Sequence, residues 1–315
     1  MTSAQFTTPV ALIIFNRPRA TEAVFAEIAR LRPQTLLVIA DGPRAGQPDD
    51  AEKCSAARSI IHRADWGGEV ITNYAETNLG CKRRVSTGLD WVFSLVEEAI
   101  VLEDDCLPHP TFFRFCQELL DRYRDDRRVM HISGDNFQLG QRRASASYYF
   151  SRYSHVWGWA TWRRAWKFYD VAMSLWPAFR DDHRLQDVLG DSGAIAYWTR
   201  FFQSAYEGKI NTWDVQWLFA CWAQNGLSIL PDTNLVTNIG QGLDATHTAG
   251  KNWFTSLPTA GLDLPIRHPQ FVVQDTAADR FTQQTMFTAT LAERVRGKAK
   301  RMLSSHRQTQ AGAHS

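Results

Sequence analysis

Short apolar runs, each closed by polar or turn-forming residues, divide the first 135 residues of this 315-residue chain. Val10-Ala-Leu-Ile-Ile-Phe15 ends at Asn16-Arg17-Pro18, and Leu36-Leu-Val-Ile-Ala40 ends at Asp41-Gly42-Pro43. Glu69-Val-Ile-Thr72 is shorter; Ala99-Ile-Val-Leu102 stops at Glu103-Asp104-Asp105, and Val129-Met-His-Ile-Ser133 at Gly134-Asp135-Asn136. Runs of this length without polar alternation predict strands covered on both faces, as in a parallel sheet. Between them apolar residues recur at helical spacing: Ala20, Val24, Phe25, Ile28 and Leu31, then stretches over 54–61, 83–96 and 112–123. Strands alternating with such helices predict βαβ units, hence an α/β/α sandwich around a mostly parallel, Rossmann-type sheet.

In that arrangement the strand ends at Asn16-Arg17, Asp41-Gly42 and Glu103-Asp104-Asp105 share one edge, where open α/β sheets bind ligands. Three adjacent carboxylates repel one another and lose hydration there, so a positive group is expected to compensate them. A hard divalent cation with oxygen ligands, Mn²⁺ or Mg²⁺, suits them and would bridge a diphosphate. Asp105, at the far end of the triplet, is the expected ligand. In an extended chain Asp104 points the other way, towards a ribose or sugar hydroxyl. Asp41 suits hydrogen bonds from a base or ribose, and reads equally as a turn-forming Asp-Gly. Lys82, Arg83 and Arg84 follow Gly80 and open a helix, where their charge opposes the helix dipole unless an anion is present; a diphosphate fits, as does a solvated basic face.

The second half differs in character. Nine of the twelve Trp residues lie between Trp157 and Trp222, and Trp157, Trp159 and Trp162 surround Gly158. They suit either a packed core or platforms for sugar rings. No repeat or low-complexity linker appears, which predicts a single domain over 1–275, with a donor-binding half over about 8–136 and an acceptor half over about 137–275. The rest, 276–315, reads as a basic helix over 290–303 and a disordered tail. Formal net charge is +2, but six Lys/Arg and a single Glu lie beyond residue 289, leaving 29 basic against 32 acidic residues before it. The globular part therefore shows no nucleic-acid footprint, while the basic tail suits contact with an anionic membrane face. Five scattered cysteines without Cys-x-x-Cys spacing indicate neither a zinc site nor a disulfide framework. With no signal-peptide pattern and no apolar stretch near the roughly 18 residues of a membrane span, a cytoplasmic protein is expected.

Phe15-Asn16-Arg17-Pro18, Ala40-Asp41-Gly42, Asn78-Leu79-Gly80-Cys-Lys82-Arg83, Val101-Leu102-Glu103-Asp104-Asp105 and Ser133-Gly134-Asp135-Asn136 occur in that order. Trp157-Gly158-Trp159-Ala-Thr-Trp162, Thr212-Trp213-Asp214 and Asn238-Ile-Gly240-Gln-Gly242-Leu-Asp244-Ala-Thr-His247 follow. This ordered set, over roughly residues 8–250, resembles nucleotide-sugar glycosyltransferases of the GT-A fold. It is most similar to bacterial family 2-like enzymes and more distantly to N-acetylglucosaminyltransferase I.

The resemblance implies a metal-dependent inverting transfer from a nucleotide-diphosphate sugar, a UDP-sugar being favoured, to a hydroxyl of a saccharide or lipid-linked acceptor in surface polysaccharide or glycan synthesis. It implies Asp105 and His247 on the metal; Arg17, Asp41, Lys82, Arg83 and Asp104 on the donor; and Gly158 and Trp159 in a loop at the donor and acceptor sugars. Asp214 becomes the base that deprotonates the acceptor, although Trp213 stands where Glu is more usual and Asp244 is a rival. Thr212-Trp-Asp-Val-Gln216 also reads as a helix N-cap. Two alternatives remain at this stage: a sugar-phosphate nucleotidyltransferase, disfavoured by Asn16-Arg17-Pro18 in place of a Gly-rich loop, and a non-catalytic Trp-rich carbohydrate-binding protein.

Overall fold

The apolar runs form the strands they predict. In the computed structural model, which describes residues 6–143, 145–240 and 257–287, the first half runs β1 (Val10–Ile14), α1 (Pro18–Leu31), β2 (Thr35–Ala40), α2 (Asp50–Ile61), β3 (Glu69–Tyr74), α3 (Cys81–Leu95) and β4 (Glu98–Glu103). A short β5 (Cys106–Pro108), α4 (Pro110–Arg122) and β6 (Val129–Ser133) follow. The second half contributes β7 (Tyr148–Ser151), β8 (Trp159–Trp162), α5 (Arg163–Trp166), α6 (Trp176–Asp181), α7 (Leu185–Leu189), α8 (Ser192–Tyr206), α9 (Asp214–Ala223), β9 (Leu227–Pro231), β10 (Val236–Asn238) and α10 (Thr276–Met286).

Eight strands make one sheet in the order β3-β2-β1-β4-β8-β6-β9-β7. The β3, β2, β1 and β4 ladders are parallel, β8 is antiparallel to both β4 and β6, β9 is parallel to β6, and β7 is antiparallel to β9. The expected α/β class with a central, mostly parallel sheet is what the chain adopts. Strands from both halves share that sheet.

Side-chain alternation along the strands builds two cores. Val10, Leu12, Ile14, Leu36, Val38, Ile100 and Leu102 face α1, α2 and α4, against Val24, Phe25, Ile28, Ile60, Phe112 and Leu119. Ala11, Ile13, Leu37, Ile39 and Val101 face the other way, against Val85, Leu89 and Phe93 of α3 and Trp159, Trp213 and Trp217. Burying an aliphatic side chain of this kind fully contributes about 1.5–3 kcal/mol, so both faces of β1 and β2 anchor the sheet. A third cluster joins α8 and α9 through Trp198, Phe202, Phe219 and Trp222. Every residue of α9 from Val215 to Trp222 is buried, as expected of a helix with no polar face.

Local signals set the helix ends. Pro18 occupies the first turn of α1, and Arg32 closes it in a left-handed conformation with φ of 56°. Asp191 caps α8 by accepting the Ala194 N–H at 2.7 Å, and Asp275 caps α10 through Ala277 and Ala278. The helix found after residue 275 is therefore α10, joined to the sheet where the buried Asp279 accepts the Ser151 hydroxyl at 2.5 Å. The basic helix expected over 290–303 lies outside the described residues. No helix among the described residues is long and apolar enough to cross a membrane.

Candidate active site

Because β2, β1 and β4 run parallel and adjacent, with Ile14 opposite Ala40 and Ile13 opposite Glu103, their carboxyl ends bring Arg17, Asp41 and the acid triplet to one edge. The chain itself supplies one cation to the triplet. Nη1 of Arg17 lies 2.5 Å from Asp105 Oδ2 and 3.2 Å from Asp104 Oδ1. The second Asp104 oxygen accepts the Phe15 N–H at 3.1 Å.

The expectation that Asp104 and Asp105 point apart is corrected. The ladder of β4 ends at Glu103 and the chain turns at 104–105, so strand alternation no longer applies and both carboxylates meet one guanidinium. Desolvation in the crevice, then Asp105, Asp104 and Asp214, push the Glu103 carboxyl above its ordinary range. Burial and then Asp105 raise Asp104, against the opposing pull of Arg17. Asp214 follows a segment that passes this edge, where a Cβ on Gly80 would lie 3.8 Å from the Asn211 amide.

Asp41 has a defined local task. One carboxylate oxygen accepts the Gly42 and Leu79 N–H groups, each at 2.9 Å; the other accepts the Asn78 amide at 2.9 Å and the Gly80 N–H at 3.1 Å. Four donors fill the roughly four lone-pair sites of a carboxylate, so Asp41 holds the turn that leads into α3. Of the basic run at that helix start, Arg84 is structural: it is buried, its Nε donates to the Ala40 carbonyl at 3.1 Å and its Nη2 to Asn73 Oδ1 at 2.8 Å. Lys82 is half-buried and Arg83 exposed on the first turn, and neither makes an ion pair among the described residues. Beside them, partial desolvation and then Glu103, Asp214 and Asp41 raise the Cys81 thiol. Asn16 donates to Asp50 at 2.8 Å, and Arg44 grips the same carboxylate at 2.6 and 3.0 Å, holding it well below the usual range.

The opposite wall comes from the second half. Gly158 adopts φ of 66°, its carbonyl accepts the Gly134 N–H at 2.7 Å, and a Cβ there would fall 2.7 Å from Val236. Only glycine meets both demands without strain. Asp214 is the first residue of α9 and Trp213 its cap, so the alternative reading of Asp214 as an N-cap is not what forms: its carboxylate accepts the Thr212 hydroxyl instead. Trp159, expected beside the sugars, is corrected to a core residue. It is fully buried and stacks on His131, with ring centres 5.2 Å apart, and on Trp213 at 5.6 Å. Its place in β8, one residue beyond Gly158, turns the indole into the sheet's core face.

β10 pairs antiparallel with β5 just after the acids, the Ile239 N–H donates to the Asp105 carbonyl at 2.8 Å, and a Cβ on Gly240 would lie 2.3 Å from Asp105 Oδ2. His247 and Asp244 lie outside the described residues. Among the described residues no group of three His, Cys, Asp or Glu side chains is arranged to hold a metal ion. One acid at this edge had no assigned role in the sequence reading. Asp135 is buried, which pushes its carboxyl far up; Oδ2 accepts the Trp157 N–H at 3.1 Å, and Oδ1 has no hydrogen-bond partner among the described residues. The sequence signal for it was Ser133-Gly-Asp-Asn136 ending a fifth strand at the same edge. A hollow of about 620 Å³ lies elsewhere, between Arg152, Asp191 and Asp279, and contains none of these acids.

Fold and site thus define an α/β protein with an arginine-bridged acidic crevice at the carboxyl edge of its sheet. No protein-family model matches the chain, and no curated protein does. Among solved structures it is similar to the galactosyltransferase LgtC in complex with donor and acceptor sugar analogues, at 12% identity and a TM-score of 0.37, covering 92% of this chain and 100% of that one. It is also similar to a UDP-glucose pyrophosphorylase complexed with UDP-glucose, at 8% identity and a TM-score of 0.35, over 72% of this chain and 90% of that one. A third similarity is to 4-diphosphocytidyl-2C-methyl-D-erythritol synthase from Anaerococcus prevotii, at 9% identity and a TM-score of 0.35, over 71% and 86% of the two chains. At such identities and scores these likenesses define neither a family nor an activity for this chain.

Proposed function

We propose that this chain is a metal-dependent inverting glycosyltransferase that moves a sugar from a nucleotide-diphosphate donor, a UDP-sugar by preference, to a hydroxyl of a saccharide or lipid-linked acceptor. The observation that supports the reading is the Arg17–Asp105 pair at the carboxyl edge of the sheet, with the segment that leads into Asp214 passing beside Gly80 at the start of α3.

The residues suit a hard divalent cation. Asp105 offers carboxylate oxygens, of which Oδ2 holds one strong partner, Arg17, while Oδ1 meets the weak Cys106 thiol at 3.5 Å. One carboxylate with substrate phosphates is an ordinary way to hold Mg²⁺ or Mn²⁺. When bound, such an ion supplies Lewis-acid neutralisation of the leaving diphosphate, with Asp105 and His247 as its protein ligands.

The chain's own groups do the rest. Asp214 takes the proton of the acceptor hydroxyl as that oxygen attacks the anomeric carbon from the face opposite the diphosphate, and the bond to the diphosphate oxygen breaks with its electron pair. Lys82 and Arg83, beside the amino end of α3, meet the charge that develops there. Asp41 acts through the turn it holds. Gly158 lets its loop close on Val236 and Leu102 at the edge of the crevice, and Asp104 holds Arg17 beside the acids.

The test is a thermal-shift panel of UDP-, GDP- and TDP-sugars with and without Mn²⁺. Metal-dependent stabilisation by one nucleotide is expected; if none stabilises the protein, the reading fails. A carbohydrate-binding protein without turnover would instead bind saccharide whether or not Mn²⁺ is present and whether or not Asp105 is replaced by Ala.

A further inference from the structure

Arg17 occupies Oδ2 of Asp105, the oxygen on the crevice side, since Oδ1 is turned to the buried Cys106 thiol at 3.5 Å. Its backbone is pinned, because its carbonyl accepts both the N–H and the hydroxyl of Thr21 at 2.9 Å and Pro18 fixes the next residue. Its side chain is long and flexible, so the guanidinium can exchange partners at the acids while the backbone of β1 and α1 stays in place. Asp105 has no comparable latitude. Ile239 holds its carbonyl, and Gly240 runs so close to Oδ2 that no larger residue fits on that side. A divalent cation approaching Oδ2 therefore has to replace the Arg17 nitrogen 2.5 Å away, losing one ion pair for the one it makes.

A nucleoside diphosphate alters that balance, because a guanidinium binds phosphate oxygens bidentately and gives up Asp105 for an equal or better partner. We propose that Arg17 is an exchangeable internal cation, which neutralises Asp104 and Asp105 in the absence of donor and passes to the diphosphate when donor binds. Divalent cation and nucleotide then bind cooperatively, and each binds poorly alone. Reciprocity follows from linkage: whatever factor the nucleotide adds to cation affinity, the cation adds to nucleotide affinity. The diphosphate half of this proposal rests on the glycosyltransferase reading, whereas the competition at Asp105 does not.

The experiment titrates Mn²⁺ into the full chain, following the free aqua ion by electron paramagnetic resonance, with and without UDP, in the unsubstituted protein, Arg17→Gln and Arg17→Lys. In the unsubstituted protein UDP tightens Mn²⁺ binding by about 5- to 150-fold, the usual span of coupling between sites. Arg17→Gln binds Mn²⁺ alone more tightly than the unsubstituted protein, binds UDP more weakly, and brings the enhancement close to one. Arg17→Lys, a point charge unable to present a planar fork to both carboxylates, moves in the same direction by less and serves as the test should Arg17→Gln not fold. Equal affinity for Mn²⁺ alone in all three proteins overturns the exchange. If instead Arg17→Gln tightens Mn²⁺ but UDP, GDP and TDP all leave Mn²⁺ binding to the unsubstituted protein unchanged, the diphosphate is overturned as the partner, and the transferase reading with it.

Discussion

Trp217 of α9 donates its indole N–H to Nδ1 of His131 at 3.1 Å, which leaves Nε2 as the protonated nitrogen that donates to the His155 carbonyl at 2.7 Å. One neutral tautomer thus ties the helix that begins at Asp214 to the segment that leads into Gly158. The imidazole also stacks on Trp159, which stacks on Trp213. Position in this half of the site is set by buried aromatic packing.

That arrangement makes stability depend on pH. Burial lowers His131 from 6.5 to about 3, and burial followed by the neighbouring His131 lowers His155 to about 3. The unfolded chain takes up these protons near pH 6.5 and the folded chain only near 3. Their contribution is therefore complete above pH 6.5 and is lost progressively as pH falls towards 3. His131→Gln is expected to be less stable at pH 7 by about 1–3 kcal/mol, yet to lose less on acidification. Urea unfolding at pH 7 and pH 5 measures both effects; a gap between the two proteins that does not narrow at pH 5 contradicts the assignment.

Asp214→Asn keeps the shape of the side chain and the start of α9 but removes the proton acceptor. Turnover should fall by about 10²- to 10⁴-fold, with donor affinity unchanged. Thr212→Val, which deletes the hydroxyl that orients the carboxylate, should lower kcat by a smaller factor. Steady-state rates alongside calorimetric donor binding separate these effects, and full turnover in Asp214→Asn would transfer the base role to Asp244.

At Asp41 four donors converge on two oxygens. Asp41→Asn replaces one acceptor with a donor, so at least one N–H of the 78–80 turn loses its partner at a cost of about 1–3 kcal/mol. Donor binding should weaken with the turn, while the remainder of the protein unfolds as one unit at lower denaturant. Unchanged stability would show that the turn is held by other means.

Gly158→Ala forces a side chain into the left-handed region, costing about 1–2 kcal/mol, and drives its Cβ against Val236, adding about 1–3 kcal/mol of overpacking. Pairing it with Val236→Ala should recover the packing part and leave the backbone part. Denaturant midpoints of the single and double variants test this partition.

Legibility in the sequence followed burial. Strands covered on both faces, β1, β2 and β4, appear as unbroken apolar runs, so the edge that gathers Arg17, Asp41 and Asp105 was readable. The antiparallel strands β7 and β8 were not, because Tyr148-Tyr-Phe-Ser151 and Trp159-Ala-Thr-Trp162 carry an aromatic signal common to cores and sugar sites alike; Trp159 fell on the wrong side of that ambiguity. The ion pair from Arg17 to Asp104 and Asp105 joins residues 87 and 88 positions apart. It exists only because β1 pairs with β4, which no local pattern encodes. Asp135 was hidden for a related reason: an acid at a strand end looks solvated until the second half of the chain covers it.

The cluster of Trp159, Trp213 and Trp217, with Trp213 stacked on Trp159 at 5.6 Å and Trp217 tilted against it at 5.8 Å, also gives this half of the protein an optical signature. Indoles packed this closely and shielded from water couple their electronic transitions, so their near-ultraviolet circular dichroism is sensitive to ring tilt. Trp213 adjoins Asp214 in the chain, and any ligand that shifts the start of α9 tilts that ring.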